Sequence, residues 1–162
     1  MSTMRAAVPK CKNSKGQMSL EYMVMSAFLL LIVGLLFTYA YINYDHAMKL
    51  DMANYAVDSI AEAADQAYAL GTGTVLFVDI ILPNGIEGSS VFGKEFQGGN
   101  EVQYTLNIMG VQNTIFAKTI AELDSENSVL PYTGISHKMR ISMGDCVDGK
   151  VTILEVGEEC PP

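Results

Sequence analysis

Charged residues are absent between Met23 and Ile42, a run of 20 positions. Its least apolar members are Ser26, Gly34, Thr38 and the tyrosines. At about 1.5 Å rise per residue, a helix of this length spans about 30 Å, the hydrocarbon thickness of a bilayer. Tyr39, Tyr41 and Tyr44 gather at its C-terminal end, where aromatic side chains favour a membrane interface. The run predicts a transmembrane helix over 23–42. Gly34 in its middle fits a close helix approach or a local bend, and equally a neutral position.

The helical pattern continues past the apolar run. From Asp45 to Leu70 there is no Pro or Gly, and Ala recurs at 47, 53, 56, 61, 63, 64, 67 and 69. Ala is the strongest helix former. Ala53, Val57, Ile60, Ala64 and Ala67 follow helical spacing and make one face. Asp51, Asp58, Glu62 and Asp65 lie on the opposite face, which reads as the wet side. The small-residue seam predicts packing against the chain's own domain, or against helices of neighbouring copies, and both uses are compatible along different parts. Gly71, reinforced by Gly73, is the expected stop. A helix from about Ser19 to Leu70 would be roughly 52 residues and 78 Å long. Its first half would carry an apolar surface that needs lipid or an assembly.

After Gly73 the period changes from helical to alternating. Thr74–Leu82 is β-branched and aromatic, and Pro83-Asn84-Gly85 is a turn signal. Further short strands are expected at 89–92, 101–109, 112–119, 136–143 and 150–156. Gly98-Gly99-Asn100 and Asp148-Gly149 act as separators. Val102, Tyr104, Leu106 and Ile108 alternate with Gln103, Thr105 and Asn107, as in a strand with one wet face. The expected fold class is α+β: a long N-terminal α-helix, membrane-spanning in its first half, then a small antiparallel β-sandwich over 74–162.

Charge then orients the chain. Residues 1–16 hold Arg5, Lys10, Lys12 and Lys15 and no acid. The remainder carries six Lys/Arg against 18 Asp/Glu, a net −12. A basic leader favours the cytoplasmic side, so the expected topology is N-in, C-out. The acidic body argues against nucleic acid as a partner, because phosphate contacts need Lys/Arg clusters. Of the three cysteines, Cys11 lies in the leader. Without the leader an even pair remains, Cys146 and Cys160, which suits one disulfide in an oxidising place; the alternative is two unrelated thiols. Closing that loop would contribute about 3 kcal/mol.

A polar hexad, Gln17-Met18-Ser19-Leu20-Glu21-Tyr22, separates the leader from the apolar run. A cleaved secretory signal does not account for it: the run is long for an h-region, and Thr38-Tyr39-Ala40 is a weak cut site. A plain signal anchor leaves the hexad unexplained as well. Lys15-Gly16 followed by Gln17-x-Ser19-x-Glu21-Tyr22 and a long apolar helix resembles the class III signal peptide of archaeal type IV pilins. The motif covers eight residues, and the layout of helix followed by small β-domain covers the whole chain.

The resemblance implies a sequence of events. A prepilin peptidase would cut between Gly16 and Gln17, removing leader 1–16 and leaving the helix of 17–71 on the β-domain. Lys15 would hold the cut site at the cytoplasmic surface, and Gly16, lacking a Cβ, would admit the peptidase to the backbone. Glu21 would then pair with the new α-amino group of an adjacent subunit, so that neither charge is buried alone. Otherwise Glu21 is an interfacial acid favoured by the helix dipole. The implied partners are other copies in a helical filament, the peptidase, an assembly ATPase, a membrane platform protein, and the lipid bilayer before assembly. The implied role is structural, in a cell-surface filament used for adhesion.

No catalytic constellation emerges. Neither His46 nor His137 has a nucleophilic or metal-ligating pattern around it, and Gln97-Gly98-Gly99-Asn100 lacks the context of a phosphate loop. Asp145 and Asp148 flank Cys146 and read as a solvated acidic turn. No metal, cofactor or enzyme activity is expected. The competing functions are a minor or tip pilin, and a membrane-anchored extracellular binding domain that never assembles. An archaellin-like subunit fits less well, because archaellins follow a different pattern after their cut, without this glutamate.

Overall fold

The computed structural model describes residues 14–93, 100–134 and 136–160, with side chains from Leu20 onward. Most of the leader, including Cys11, therefore lies outside the described residues, as do Gln97, Gly98 and Gly99. Helix α1 (Ser14–Leu70) is followed by six strands: β1 (Val75–Ile81), β2 (Ile86–Phe92), β3 (Glu101–Ile108), β4 (Val111–Lys118), β5 (Ser136–Met143) and β6 (Val151–Glu155). The chain forms two compact units, residues 1–44 and 45–162. The first contains the N-terminal part of α1, and the second contains the rest of α1 with all six strands.

α1 begins five residues before the expected start, and no Pro interrupts it. It ends where the pattern requires. Gly71 takes φ 92°, a left-handed conformation that is strained for other residues, and its N–H bonds back to the Ala67 carbonyl at 3.1 Å. This is the αL form of helix termination.

The strands make two three-stranded antiparallel sheets, in the orders β1-β5-β6 and β2-β3-β4. The β2-β3-β4 sheet is a meander. Its β3–β4 hairpin turns through Met109 and Gly110, both at positive φ (55° and 83°), a geometry that matches strand twist. Asn107 Oδ1 accepts the Gly110 N–H at 2.8 Å and holds the turn. The Pro83-Asn84-Gly85 turn does not close a hairpin. It passes the chain from one sheet to the other, and β1 finds its partner in β5, with Val75 opposite Ser142. Gly85 is required here: its φ is 102°, and a Cβ would lie 2.9 Å from the Asn107 carbonyl oxygen.

The helical seam supplies one wall of the domain core. Ala53, Ala56, Val57, Ile60, Ala64 and Ala67 are fully buried, clustered with Ile80, Tyr104, Leu106, Met139, Ile141 and Ile153 from the two sheets. Alanine at four of these six helix positions lets the backbone approach the strands closely. The seam thus packs within its own domain. The alternating strand behaves as its pattern demands: Val102, Tyr104, Leu106 and Ile108 are buried and their neighbours half-buried. On β6 the alternation fails, because Thr152 and Leu154 are as buried as Val151 and Ile153. The outer edge of β6 is also covered. Segment 122–129 bonds to it through Val151 N–H to the Glu122 carbonyl, Asp124 N–H to the Val151 carbonyl and Val129 N–H to the Ile153 carbonyl, at 2.8–2.9 Å.

Two expectations need correction. β2 begins at Ile86, three residues before the expected start, because a bulge between Ile86 and Gly88 carries pairing through a glycine that pattern alone rejects. Asp65 is not on the wet face. Asp51, Asp58 and Glu62 are exposed, but Asp65 is half-buried and engaged by a loop more than 50 residues away.

Candidate functional site

The first unit presents its helix without cover. Every described side chain from Leu20 to Tyr44 is exposed. Scattered exposed apolar residues are ordinary, but 25 consecutive exposed positions, rich in Leu, Ile, Val, Phe and Met, are not. Burying each such large side chain is worth about 1.5–3 kcal/mol, so the run strongly favours an apolar medium over water. The helix is long and apolar enough to cross a membrane, with mean hydropathy 2.3 in its most apolar window.

Its polar side chains are arranged for such a medium. Ser26 Oγ donates to the Met23 carbonyl at 3.0 Å, Thr38 Oγ1 to the Gly34 carbonyl at 2.9 Å, and Asn43 Nδ2 to the Tyr39 carbonyl at 3.1 Å. Each returns a hydrogen bond to its own helix, and no water is needed to satisfy those donors. A Cβ on Gly34 would meet nothing within 4 Å, so no packing inside the chain requires glycine there.

Glu21 and Tyr22 lie in the third helical turn, both exposed. With Met25, Ser26, Leu29 and Leu30 they line one open groove along the helix, a carboxylate at its N-terminal end and hydrocarbon beyond. Among the described residues Glu21 makes no hydrogen bond or ion pair. Lys15, Gly16, Gln17 and Ser19 lie on the helical backbone, and their side chains fall outside the described residues.

The second unit is tied together by polar contacts that the sequence did not announce. The Asp65 carboxylate accepts from the Ile120 N–H at 2.8 Å, the Ala121 N–H at 3.0 Å and the Thr119 hydroxyl. Asp124, buried, accepts from the backbone N–H groups of Glu126 and Asn127 and from Asn127 Nδ2, fixing the turn beside β6. His137 Nδ1 lies 2.7 Å from Glu155 Oε1. Its Nε2 is 3.1 Å from both the hydroxyl and the carbonyl oxygen of Thr133. The equal approach to the carbonyl makes this ring a tie between β6, β5 and the preceding loop. No local pattern marks the Asp65 and His137–Glu155 contacts, which join positions set by the fold, whereas Asp124 closes a local turn with residues two and three positions on.

Cys146 and Cys160 are joined in a disulfide, with Cα atoms 5.6 Å apart. Asp145 beside it is paired with Arg140, while Asp148 is exposed. Among the described residues no group of three or more His, Cys, Asp or Glu is placed to hold a metal ion. The distinctive chemistry of the chain is thus an uncovered apolar helix with one carboxylate near its start. No protein-family model, curated protein or solved structure matches the chain.

Proposed function

We propose that the chain is the precursor of a structural subunit of an archaeal type IV pilus-like filament, cut between Gly16 and Gln17 and assembled through its apolar helix. The observation that carries this reading is the uncovered surface of Leu20–Tyr44, which begins within the Gln17-x-Ser19-x-Glu21-Tyr22 hexad and runs on through the apolar segment. Before assembly the run would lie in a bilayer, N-in and C-out. Afterwards it would be buried among the same helices of neighbouring copies, with the β-domains outward and adhesion as the filament's role. Glu21 has no partner among the described residues of its own chain, which leaves its carboxylate for the α-amino group of an adjacent Gln17. That pairing would spare both groups the cost of a lone buried charge. The peptidase, an assembly ATPase and a membrane platform protein are the partners this route requires.

The deciding experiment is the N-terminal sequence of protein sheared from the cell surface. An N-terminus at Gln17 in that fraction supports both the cut and the release in filaments. A chain that begins at Met1 and stays in membranes rejects them. The second reading, an anchored extracellular domain that never assembles, draws on the complete core and disulfide of residues 45–162. A minor or tip pilin differs from a major one only in copies per filament, which quantitative mass spectrometry of sheared material counts.

A further inference from the structure

Among the described residues each sheet of the second unit leaves a free edge: β1 pairs only with β5, and β4 only with β3. The outward residues of these edges follow the same alternation with opposite charge. On β1 they are Phe77, Asp79 and Ile81, with the two apolar side chains each 57% exposed. On β4 and just beyond it they are Phe116, Lys118 and Ile120, 57% and 83% exposed at the apolar positions. The β1 side is extended by α1: Asp51, Met52 and Tyr55 line a groove with Asp79 and Ile81. It therefore offers two carboxylates set among apolar side chains.

Among the described residues none of these charges has an ion-pair partner. Among the described residues the ion pairs are Lys49–Asp45, His137–Glu155 and Arg140–Asp145. Asp79 has Lys138 as its cross-strand neighbour, but the Lys138 ammonium lies over the Phe77 ring, 5.9 Å from its centre. Lys118 has Glu101 opposite it without an ion pair. The two edges thus carry the same pair in reverse order, acid outermost on β1 and base outermost on β4.

We propose that the β1 edge of one copy docks on the β4 edge of the next, Asp79 and Asp51 receiving Lys118 while Phe77 and Ile81 pack against Phe116 and Ile120. The charges select this combination. Two β1 edges brought together would oppose carboxylates, and two β4 edges would oppose ammonium groups, whereas the mixed contact pairs unlike charges. Such a contact joins different surfaces and repeats without closing, as a filament requires. It also covers two exposed strand edges that would otherwise invite nonspecific pairing. The inference rests on the filament reading and adds a contact between domains, apart from the helical core.

The test uses the full chain expressed in cells. An Ile81→Cys/Ile120→Cys double variant, mildly oxidised on sheared material, should give a reducible ladder of covalent multimers, while each single variant stays monomeric. Asp79→Lys or Lys118→Asp alone should lower filament yield at least tenfold, and the two together should restore most of it. Wild-type filaments with no ladder in the double-cysteine variant overturn the docking and leave the filament reading intact. A dimer from either single cysteine overturns it too, by showing a symmetric contact. A ladder in membranes without any filament supports the docking and sinks the filament reading.

Discussion

Asp65 and Ala121 stand 56 positions apart and are joined by a 3.0 Å hydrogen bond from the Ala121 N–H to the Asp65 carboxylate. The same oxygen takes the Ile120 N–H and the Thr119 hydroxyl, so one side chain of α1 holds the end of β4 and the start of the segment that crosses to β6. Asp65→Ala would leave the Ile120 N–H without its acceptor and the Ala121 N–H with the Thr119 hydroxyl alone. A charged hydrogen bond contributes about 1.5–3 kcal/mol, and the half-exposed site places the expected loss near the lower end, at about 2 kcal/mol. Asp65→Asn, which keeps an acceptor oxygen, should lose less. Denaturant unfolding of the full chain in detergent, comparing the two variants, checks the order.

Tyr104 is fully buried, and its hydroxyl has no partner among the described residues. Burial first, and the Glu155 carboxylate second, push its ionisation well above the usual tyrosine range. The group is therefore neutral in the folded chain at a pH where the unfolded chain ionises. Its stabilisation is complete below about pH 10 and declines as pH rises from there toward the folded-state value. Tyr104→Phe removes a desolvated hydroxyl that gains no bond. It should be neutral or stabilising by up to about 1 kcal/mol at pH 7, with a shallower loss of stability above pH 10. Thermal melts from pH 8 to 11 measure both effects.

Glu87 behaves in the opposite sense. Its carboxylate accepts from Asn107 Nδ2 at 2.7 Å and Gln112 Nε2 at 2.9 Å, a polar ladder across β2, β3 and β4. Those two bonds, Asn107 first, hold its pKa below the ordinary 4.5. The contribution is present above pH 4.5 and lost as pH falls through the lower folded-state value. Glu87→Gln should flatten the acid limb of the stability curve, read from melts between pH 2.5 and 6.

The disulfide joins two cysteines 14 positions apart in sequence. A loop of this size contributes about 3 kcal/mol by chain entropy. The loop encloses β6 and the stretch that returns past it, where the Val156 N–H meets the Lys138 carbonyl. Replacing both cysteines by serine should lower stability by about that amount. Limited proteolysis should then cut first after Glu155.

Ala64 is fully buried in the seam of α1. Ala64→Leu forces three further heavy atoms into a packed core and should destabilise the second unit by about 1–3 kcal/mol. Tyr55→Leu, on the exposed side of the same helix, should change stability by less than about 0.5 kcal/mol. A denaturation midpoint for each variant separates the two faces.

Much of the architecture was legible because one-face burial writes itself into sequence. Val102 to Ile108 alternate, Ala53 to Ala67 recur at helical spacing, and Gly71 halts the helix at the residue where the pattern stops. Ser136–Met143 begins and ends as expected. What pattern could not supply was pairing. The turn at Pro83-Asn84-Gly85 has the composition of a hairpin turn, yet β1 pairs with β5, which begins 61 positions after β1 does. Turn chemistry fixes local dihedrals and not which edge accepts the next strand. The ties of Asp65 to residues 119–121 and of His137 to Glu155 were invisible for the same reason, because each depends on a partner that only the fold brings near. At the helix N-terminus the sequence carried more than the structure adds. Glu21 has meaning through the hexad around it, and the fold contributes the finding that the run beyond it is uncovered.

The order of the strands has a consequence for the chain's synthesis. A ribosome delivers α1 and β1 early, while β5, the partner of β1, arrives only from Ser136 and β6 only from Val151. Until then Ile80 and the seam from Ala53 to Ala67 lack the part of their core that Met139, Ile141 and Ile153 supply. The nascent domain must therefore wait, its core incomplete, until β6 has emerged. A truncation that removed only β6 would leave that wait without an end.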